Sequence, residues 1–182
     1  DGTGDGSSWG NATSELEYAA AVASDGETQV WVKTGTYYGD VTESNGAFNI
    51  YQRNRVYGGF EGDETPDFNI DNRDLENNPT ILDGENQRRV INQQDHFGSS
   101  AFSIWDGFTI QNGSAGSGGG AYLCSNSYFY NCSFINNTSN GQGGAIYSVT
   151  PLNDHSKNII ENCIFENNTS SMGGAIFDNM GL

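Results

Sequence analysis

The feature that most constrains the fold is an internal repeat. Residues 131–147 read NCSFINNTSNGQGGAIY and residues 162–177 read NCIFENNTSSMGGAIF, with Asn, Cys, Phe and Gly-Gly-Ala-Ile in the same order. In a weaker copy before them, DGFTIQNGSAGSGGGAY, the segment from Gly119 to Tyr122 aligns with the Gly-Gly-Ala-Ile tails. The copies are offset by 24 residues and then by 30 or 31. Such a period, with short strands in each copy, indicates a β-solenoid in which each turn is one repeat.

Equivalent residues of successive turns stack in columns, and three columns are predicted here. Within each copy they alternate along one strand, so they face the same side. The middle column belongs to the core. The Asn column lies where the chain leaves the strand, because Asn tolerates left-handed backbone geometry and its amide can bond to the Asn above and below. The columns are Phe108, Cys132 and Cys163, then Ile110, Phe134 and Phe165, then Asn112, Asn136 and Asn167.

Glycines mark the corner that follows these columns. Gly143 and Gly144 in one copy, and Gly173 and Gly174 in the next, permit a positive φ that other residues resist. Small Ala then packs inside the corner. None of these repeated residues is expected to be catalytic.

The rest of the chain predicts an all-β fold with one helix. Ser14 and Glu17 have capping-box spacing, and an apolar stripe indicates a helix over 14–24. This helix would cover the exposed end of the first turn. Residues 1–28 are therefore interpreted as a lead-in and capping helix. Residues 29–182 are interpreted as a right-handed, single-stranded parallel β-helix that continues beyond the last residue.

Charge and composition restrict the partners and the location. The chain has 23 acidic and 7 basic residues and a net charge of -16, which argues against nucleic acid and against an anionic membrane surface. No stretch approaches about 18 apolar residues, so direct membrane insertion is not expected. The chain opens at Asp1 without a leader, as a mature form would after removal of a signal peptide. These features predict a secreted or cell-surface protein.

Two motifs carry a resemblance to a known family. The segments Phe134-Ile-Asn-Asn137 and Phe165-Glu-Asn-Asn168 fit FxxN, and the Gly-Gly-Ala-Ile tails fit GGA[ILV]. Together they resemble the repeats of polymorphic outer membrane proteins, surface adhesins first described in chlamydiae. WVKTGTYY, RVYGGFEGDE and WDGFTIQNG resemble the opening turns of secreted, pectin-lyase-like β-helix proteins. Those proteins are common on Bacteroidota surfaces, and many are exported by the type IX secretion system.

This resemblance implies an adhesion or binding module for a surface glycan or a protein ligand. Bacterial secretion and surface-anchoring machinery would be further partners. Two alternatives stay open, because such a fold does not determine activity. One is a fragment of a polysaccharide lyase or glycoside hydrolase whose active site lies outside this segment. The other is a structural spacer of a surface fibre.

Catalytic candidates are few. Glycoside hydrolysis needs two carboxylates that face each other across a groove, but the sequence contains neither an Asp-Asp pair nor a Gly-His-Gly segment. The pairs Asp95-His96 and Asp154-His155 could serve as base and orienter, although both are interpreted as solvated loops. No catalytic residue is assigned, and the sequence leans against an enzyme.

Calcium is the only cofactor considered. Asp1, Thr3 and Asp5 present oxygen atoms at alternate positions, as calcium ligands do in EF-type loops. Ala12, however, stands where such a loop needs a bidentate Glu. The favoured interpretation is an acidic lead-in, with calcium as the alternative.

Three further features could bear on binding. Cys132 and Cys163 stack one turn apart, but parallel Cβ vectors disfavour a disulfide, so free buried thiols are expected. Loops 61–79 and 148–158 are expected to project from one face. A set of aromatic residues could stack on sugars, although strand alternation places about half of them in the core. This set comprises Tyr37, Tyr38, Tyr51, Tyr57 and Trp105.

Overall fold

The computed structural model describes residues 4–39, 48–51, 53–93, 101–124, 126–150 and 157–180. The helical segments are the 3-10 helices Trp9–Asn11 and Ile70–Asn72 and the α-helix α1 (Leu16–Val22). The strands are β1 (Val30–Lys33), β2 (Gly35–Tyr38), β3 (Phe48–Asn49), β4 (Arg55–Phe60), β5 (Thr80–Asp83), β6 (Ile91–Asn92), β7 (Ser103–Asp106), β8 (Phe108–Gln111), β9 (Ser114–Ala115), β10 (Ala121–Leu123), β11 (Ser127–Tyr130), β12 (Ser133–Ile135), β13 (Thr138–Ser139), β14 (Ile146–Thr150), β15 (Ile159–Glu161), β16 (Ile164–Glu166) and β17 (Ile176–Met180).

The strands form three five-stranded sheets, and each turn of the chain contributes one strand to each sheet. Sheet A contains β1, β4, β7, β11 and β15, sheet B contains β2, β5, β8, β12 and β16, and sheet C contains β3, β6, β10, β14 and β17. The short pair β9 and β13 lies between sheets B and C. All the strand pairs are parallel. The predicted right-handed parallel β-helix is therefore confirmed.

The core is a stack of inward side chains enclosed by the three sheets. Alternate residues of a strand point to opposite faces, and β7 and β8 both show this alternation of buried and half-buried residues. Trp105, Phe129 and Phe134 are fully buried. Each side chain of this size contributes about 1.5–3 kcal/mol on burial. One such layer per turn explains how a chain with few apolar residues sustains a long core.

Helix α1 covers the first turn, as predicted, but its N-terminus differs from the expected capping box. The helix begins at Leu16, and the residue before it makes no side-chain capping bond. Glu17 instead accepts hydrogen bonds from the Asn49 amide and from the Tyr51 hydroxyl of the first turn. The Glu17 carboxylate therefore bonds to the first turn of the coil and does not form the capping box with Ser14.

The C-terminal end of α1 is held by a buried amide. Asn54 is fully buried, and its Nδ2 donates to the carbonyl oxygens of Ala20 at 2.6 Å and Ala23 at 3.3 Å. These carbonyls would otherwise lack helical partners. The apolar stripe that includes Leu16, Ala20 and Ala23 is buried against the coil.

The segment 61–79 packs against sheet A, contrary to the expectation that it projects. The guanidinium of Arg73 forms an ion pair of 3.1 Å with Asp106 and donates to the Gly58 carbonyl at 2.8 Å. It also lies 5.3 Å from the ring centroid of Tyr57. The segment is therefore a fixed cover on sheet A. Of the other predicted loop, residues 151–156 lie outside the described part of the chain.

Within the described ranges, no helix combines the length and the apolar character needed to cross a membrane.

Candidate functional site

The glycine corner before β10 has a different register from the one that the sequence alignment gave. Ala121 pairs with Ile146, and Tyr122 pairs with Tyr147. Gly118 has a φ of 61°, equal to that of the first glycine in the next copy. The alignment was wrong by one residue because three consecutive glycines fit either register. A slip of one residue moves a side chain to the opposite face of a strand, so Tyr122 faces outward.

This register creates an outward column of aromatic side chains on sheet C. Tyr122 pairs with Tyr147, and Tyr147 pairs with Phe177. The ring centroids are 5.3 Å apart for the first pair and 6.0 Å apart for the second. All three residues are half-buried. We call these three residues the aromatic column. It places one ring on each of three successive turns.

Arg89, just before β6, lies at the Tyr122 end of the aromatic column. Its guanidinium carbon is 4.9 Å from the Tyr122 ring centroid. Nε donates to the Gly118 carbonyl at 3.0 Å and Nη2 donates to the Ser117 carbonyl at 2.9 Å. Nη1 donates to Oδ1 of Asn92 at 3.1 Å. The glycine corner of the next turn therefore fixes the position of this cation.

A groove of about 270 Å³ opens between these side chains and is lined by Arg89, Asn92, Tyr122 and Cys124. We call it the Arg89 groove. Burial lowers the pKa of the Arg89 guanidinium below its usual range. Burial, and then the neighbouring Cys124 thiol, raise the pKa of the Tyr122 phenol. The groove therefore presents a partly desolvated cation beside a neutral hydroxyl group.

Arg89 differs from Arg73 and Arg88 in its partners. Arg73 pairs with Asp106, and Arg88 pairs with Glu85. The groups that hold Arg89 are two carbonyls and one amide oxygen, all of them neutral. In the part of the chain that the structure describes, no carboxylate forms an ion pair with Arg89.

Two of the predicted residue columns belong to sheet B. The column of Ile110, Phe134 and Phe165 lies within its strands, and the column of Phe108, Cys132 and Cys163 lies where these strands begin. Phe134 pairs with Ile110 on one side and with Phe165 on the other, and the two Phe rings stack at 5.0 Å. Phe108 and Cys132 are buried one turn apart, and Cys163 is half-buried on the next turn. The structure thus places these residues in the core and away from the Arg89 groove.

The asparagine column occupies the left-handed positions at the end of sheet B. Asn112, Asn136 and Asn167 have φ values of 54°, 56° and 54°. Nδ2 of Asn112 donates to Oδ2 of Asp83 on the preceding turn at 2.9 Å. The bond between two asparagine amides is made beside this column, by the next residues along the chain, where Nδ2 of Asn137 donates to Oδ1 of Asn168 at 3.0 Å. The sequence did not predict the roles of the buried Asn137 amide and the half-buried Asn168 amide.

The four corner glycines divide into two kinds. Gly143 and Gly173 have positive φ values of 61° and 65°. A Cβ on Gly144 would overlap the carbonyl oxygen of Gly174 on the next turn. Gly143 and Gly173 set the turn, and Gly144 permits close approach of two backbones. A Cβ on Gly174 would meet only the Asn168 carbonyl oxygen, at 3.4 Å.

Cys132 and Cys163 are free thiols in contact with each other. A hydrogen bond with Cys132 lowers the pKa of the Cys163 thiol to about 7, and burial raises the pKa of Cys132. Because the thiolate is the nucleophile, Cys163 should be partly reactive at neutral pH.

We therefore expect alkylation of Cys163 by iodoacetamide to follow a titration with a midpoint at about pH 7. Replacing Cys132 with Ala removes the hydrogen bond and should shift the midpoint toward about 8.5, the ordinary value for cysteine. Peptide mass spectrometry of the alkylated protein measures the rate at each pH. Cys132→Ser keeps a donor and is the matched control. An equal midpoint in the wild type and in Cys132→Ala would contradict this account.

Other candidate residues do not assemble into a site that the structure describes. Trp105 is fully buried and Tyr57 is nearly so, which agrees with the expectation that strand alternation places about half of the aromatic set in the core. Tyr37 donates its hydroxyl to the Lys33 carbonyl at 3.0 Å. Tyr38 lies exposed on sheet B. The set therefore does not form one surface.

Several predictions concern residues outside the described ranges. Asp1, Thr3 and both Asp-His pairs are among them. Asp5 is described, and its Oδ1 accepts a hydrogen bond from the Ser7 backbone N–H at 2.9 Å. Among the described residues, no three His, Cys, Asp or Glu side chains come together as metal ligands would. The calcium site stays a prediction.

The molecule is therefore a parallel β-helix whose sheet C carries an outward aromatic column with the Arg89 guanidinium at one end. A family model, the Chlamydia polymorphic membrane protein repeat, matches residues 131–149 and 162–179. The matches contain Tyr147 and Phe177 and the glycine corners before them, whereas Arg89 and Tyr122 lie outside. Repeats of this family are associated with the outer membrane and the cell surface. Comparisons with curated proteins and with solved structures found no match.

Proposed function

We propose that this chain is a segment of a surface-displayed β-helix protein that binds glycans through the aromatic column of sheet C. The observation that carries the proposal is the placement of one outward aromatic ring on each of three successive turns, at Tyr122, Tyr147 and Phe177. The match to the polymorphic membrane protein repeat supports the surface location.

An aromatic column suits a sugar chain for two physical reasons. A tyrosine combines an apolar ring with a polar tip, and a sugar likewise combines apolar C–H faces with hydroxyl edges. The column is also rigid, because the Tyr147 ring packs at a tilt against Tyr122 and stacks on Phe177, and the Asn179 amide donates to the Tyr147 hydroxyl at 3.2 Å. Binding to a preformed surface loses less side-chain entropy.

The covered face of sheet A supports the choice of sheet C. Segment 61–79 is fixed over sheet A by Arg73, whose side chain is only 5% exposed. Sheet C presents its aromatic column in a half-buried, accessible state. A long ligand could therefore follow the coil axis along sheet C, one sugar unit after another.

Glycan binding can be tested with the purified chain on an oligosaccharide array, followed by calorimetry on the strongest ligand. Tyr147→Ala should weaken binding by about tenfold, since an aromatic contact contributes about 0.5–1.5 kcal/mol. Tyr128→Ala is the matched control. Tyr128 also stacks on an aromatic ring, Phe102 at 5.0 Å, but it belongs to sheet A. Tyr128→Ala should bind as the wild type does.

Two results would overturn the proposal. One is the absence of glycan binding across the array by a folded protein. The other is the appearance of new reducing ends or unsaturated uronate products, which would make the chain part of an enzyme. Equal loss of binding in both tyrosine variants would also contradict the assignment to sheet C.

A further inference from the structure

We infer that the Arg89 groove binds the carboxylate of an acidic sugar, so that the ligand of the aromatic column is a glycan carrying carboxylate groups. This inference rests on the proposed glycan-binding function and names the chemical class of the ligand. It is carried by the geometry of Arg89, by the size of the groove and by the charge of the protein around it.

The first argument concerns the hydrogen-bond donors of Arg89. A guanidinium has five N–H donors, and the structure gives Arg89 one bond from each of its three nitrogens. One N–H on Nη1 and one on Nη2 therefore have no bond among the described residues. Arginine pairs with a carboxylate through two such N–H groups. The bonds to Ser117 and Gly118 hold the side chain in place before any ligand arrives.

The second argument concerns the missing negative charge. Removing a cation from water is costly unless an anion or strong acceptors compensate for it. Arg73, which is also buried, has its carboxylate in Asp106 at 3.1 Å. Arg89 has only neutral acceptors among the described residues. A carboxylate supplied by the ligand would complete the pair.

The third argument concerns size. The groove has a volume of about 270 Å³, below the range of roughly 300–1,000 Å³ that is usual for pockets enclosing a whole small ligand. It therefore suits one charged group of a larger molecule. Tyr122 forms both a wall of this groove and the first ring of the aromatic column. The groove and the column can consequently hold adjacent units of one chain.

The fourth argument concerns selectivity. The protein carries a net charge of -16, which repels densely charged polyanions at long range. Arg89 offers a short-range attraction at one point. We therefore expect a glycan in which an acidic sugar alternates with neutral sugars, and weak binding of heavily sulfated polymers.

The test compares three acidic trisaccharides, which end in glucuronate, galacturonate and N-acetylneuraminate, with their carboxyl-reduced forms. Each pair differs only in a carboxylate against a CH2OH group, and a sulfated trisaccharide distinguishes carboxylate from sulfate. We expect at least one acidic probe to bind about tenfold more tightly than its reduced form. Arg89→Gln should abolish this preference, so that this variant binds the acidic and the reduced form of each probe equally. Arg89→Lys keeps the charge without the planar fork and should retain part of the preference.

Arg55→Gln is the matched control, because it removes one positive charge from sheet A. It should leave the preference intact. Equal affinity for acidic and reduced probes, weakened by Tyr147→Ala, would overturn this inference and leave the glycan-binding function standing. A preference that survives Arg89→Gln would overturn the assignment to Arg89, and a stronger preference for sulfate would overturn the assignment to carboxylate. Failure of every acidic probe to bind, while the array shows a neutral glycan whose binding Tyr147→Ala weakens, would overturn this inference alone. Absence of binding both to these probes and across the array would overturn both proposals.

Discussion

Replacing Asn137 with Ala is expected to lower the free energy of unfolding by about 3–5 kcal/mol. Asn137 is fully buried, and its side chain joins three turns of the coil. Oδ1 accepts from the Gly113 N–H at 2.8 Å, and Nδ2 donates to the Ile110 carbonyl at 2.9 Å and to Asn168 at 3.0 Å. Removing the amide leaves a buried N–H and a buried carbonyl without this partner, and each such group costs about 1–3 kcal/mol.

The preceding residue provides the matched control. Asn136 is exposed and has a φ of 56°. Glycine adopts this conformation freely, so Asn136→Gly should change the free energy of unfolding by less than about 0.5 kcal/mol. Urea denaturation followed by circular dichroism measures both variants. Equal midpoints for Asn137→Ala and Asn136→Gly would show that the buried amide does not stabilise the coil.

Replacing Gly143 with Ala should destabilise the protein by at least about 3 kcal/mol, or prevent folding. Gly143 has a φ of 61°, and a Cβ there would overlap the Ile146 carbonyl oxygen. That oxygen belongs to the backbone, so the corner itself must move. The corner also positions Tyr147, and the variant should therefore lose glycan binding as well as stability.

Gly116→Ala is the control for this substitution. Gly116 lies in the equivalent region of the preceding turn and has no positive φ, and a Cβ added there would meet no atom within 4 Å. Alanine there should leave stability unchanged or raise it by up to about 1 kcal/mol, because it restricts the unfolded chain. Thermal unfolding and yield of soluble protein compare the two variants. Wild-type stability of Gly143→Ala would contradict the predicted clash.

The fold could be predicted from the sequence because its signal is periodic. The matching segments around Phe134 and Phe165 specify a repeat, and its period, short strands and Gly/Asn corners are those of a coil of parallel strands. The capping helix was recognisable from its apolar stripe. Its capping box was not, because Glu17 bonds to Asn49 and Tyr51, which lie in another element.

The candidate site was not predictable, for two physical reasons. Three consecutive glycines left the register ambiguous, and a shift of one residue decides whether Tyr122 points inward or outward. The signal that could have resolved the register is an aromatic residue directly after the inward position in all three copies, at Tyr122, Tyr147 and Phe177. Arg89 belongs to no motif, and its bonds to Ser117 and Gly118 connect residues of different turns.

The Asn-Asn pairs show a similar limit. If side chains simply alternated along the strand, Asn136 would face the same side as Phe134. The left-handed conformation of Asn136 interrupts this alternation and turns Asn137 into the interior. Sequence alone cannot say which amide of the pair is buried.

The direction of the hydrogen bonds between turns has a mechanical consequence. In the three parallel sheets these bonds run from one turn to the next, along the axis of the coil. Tension along this axis would concentrate on the bonds of a single turn and peel the turns apart in succession at low force. Compression would press neighbouring turns together. The coil is therefore suited to act as a strut and poorly suited to act as a tether.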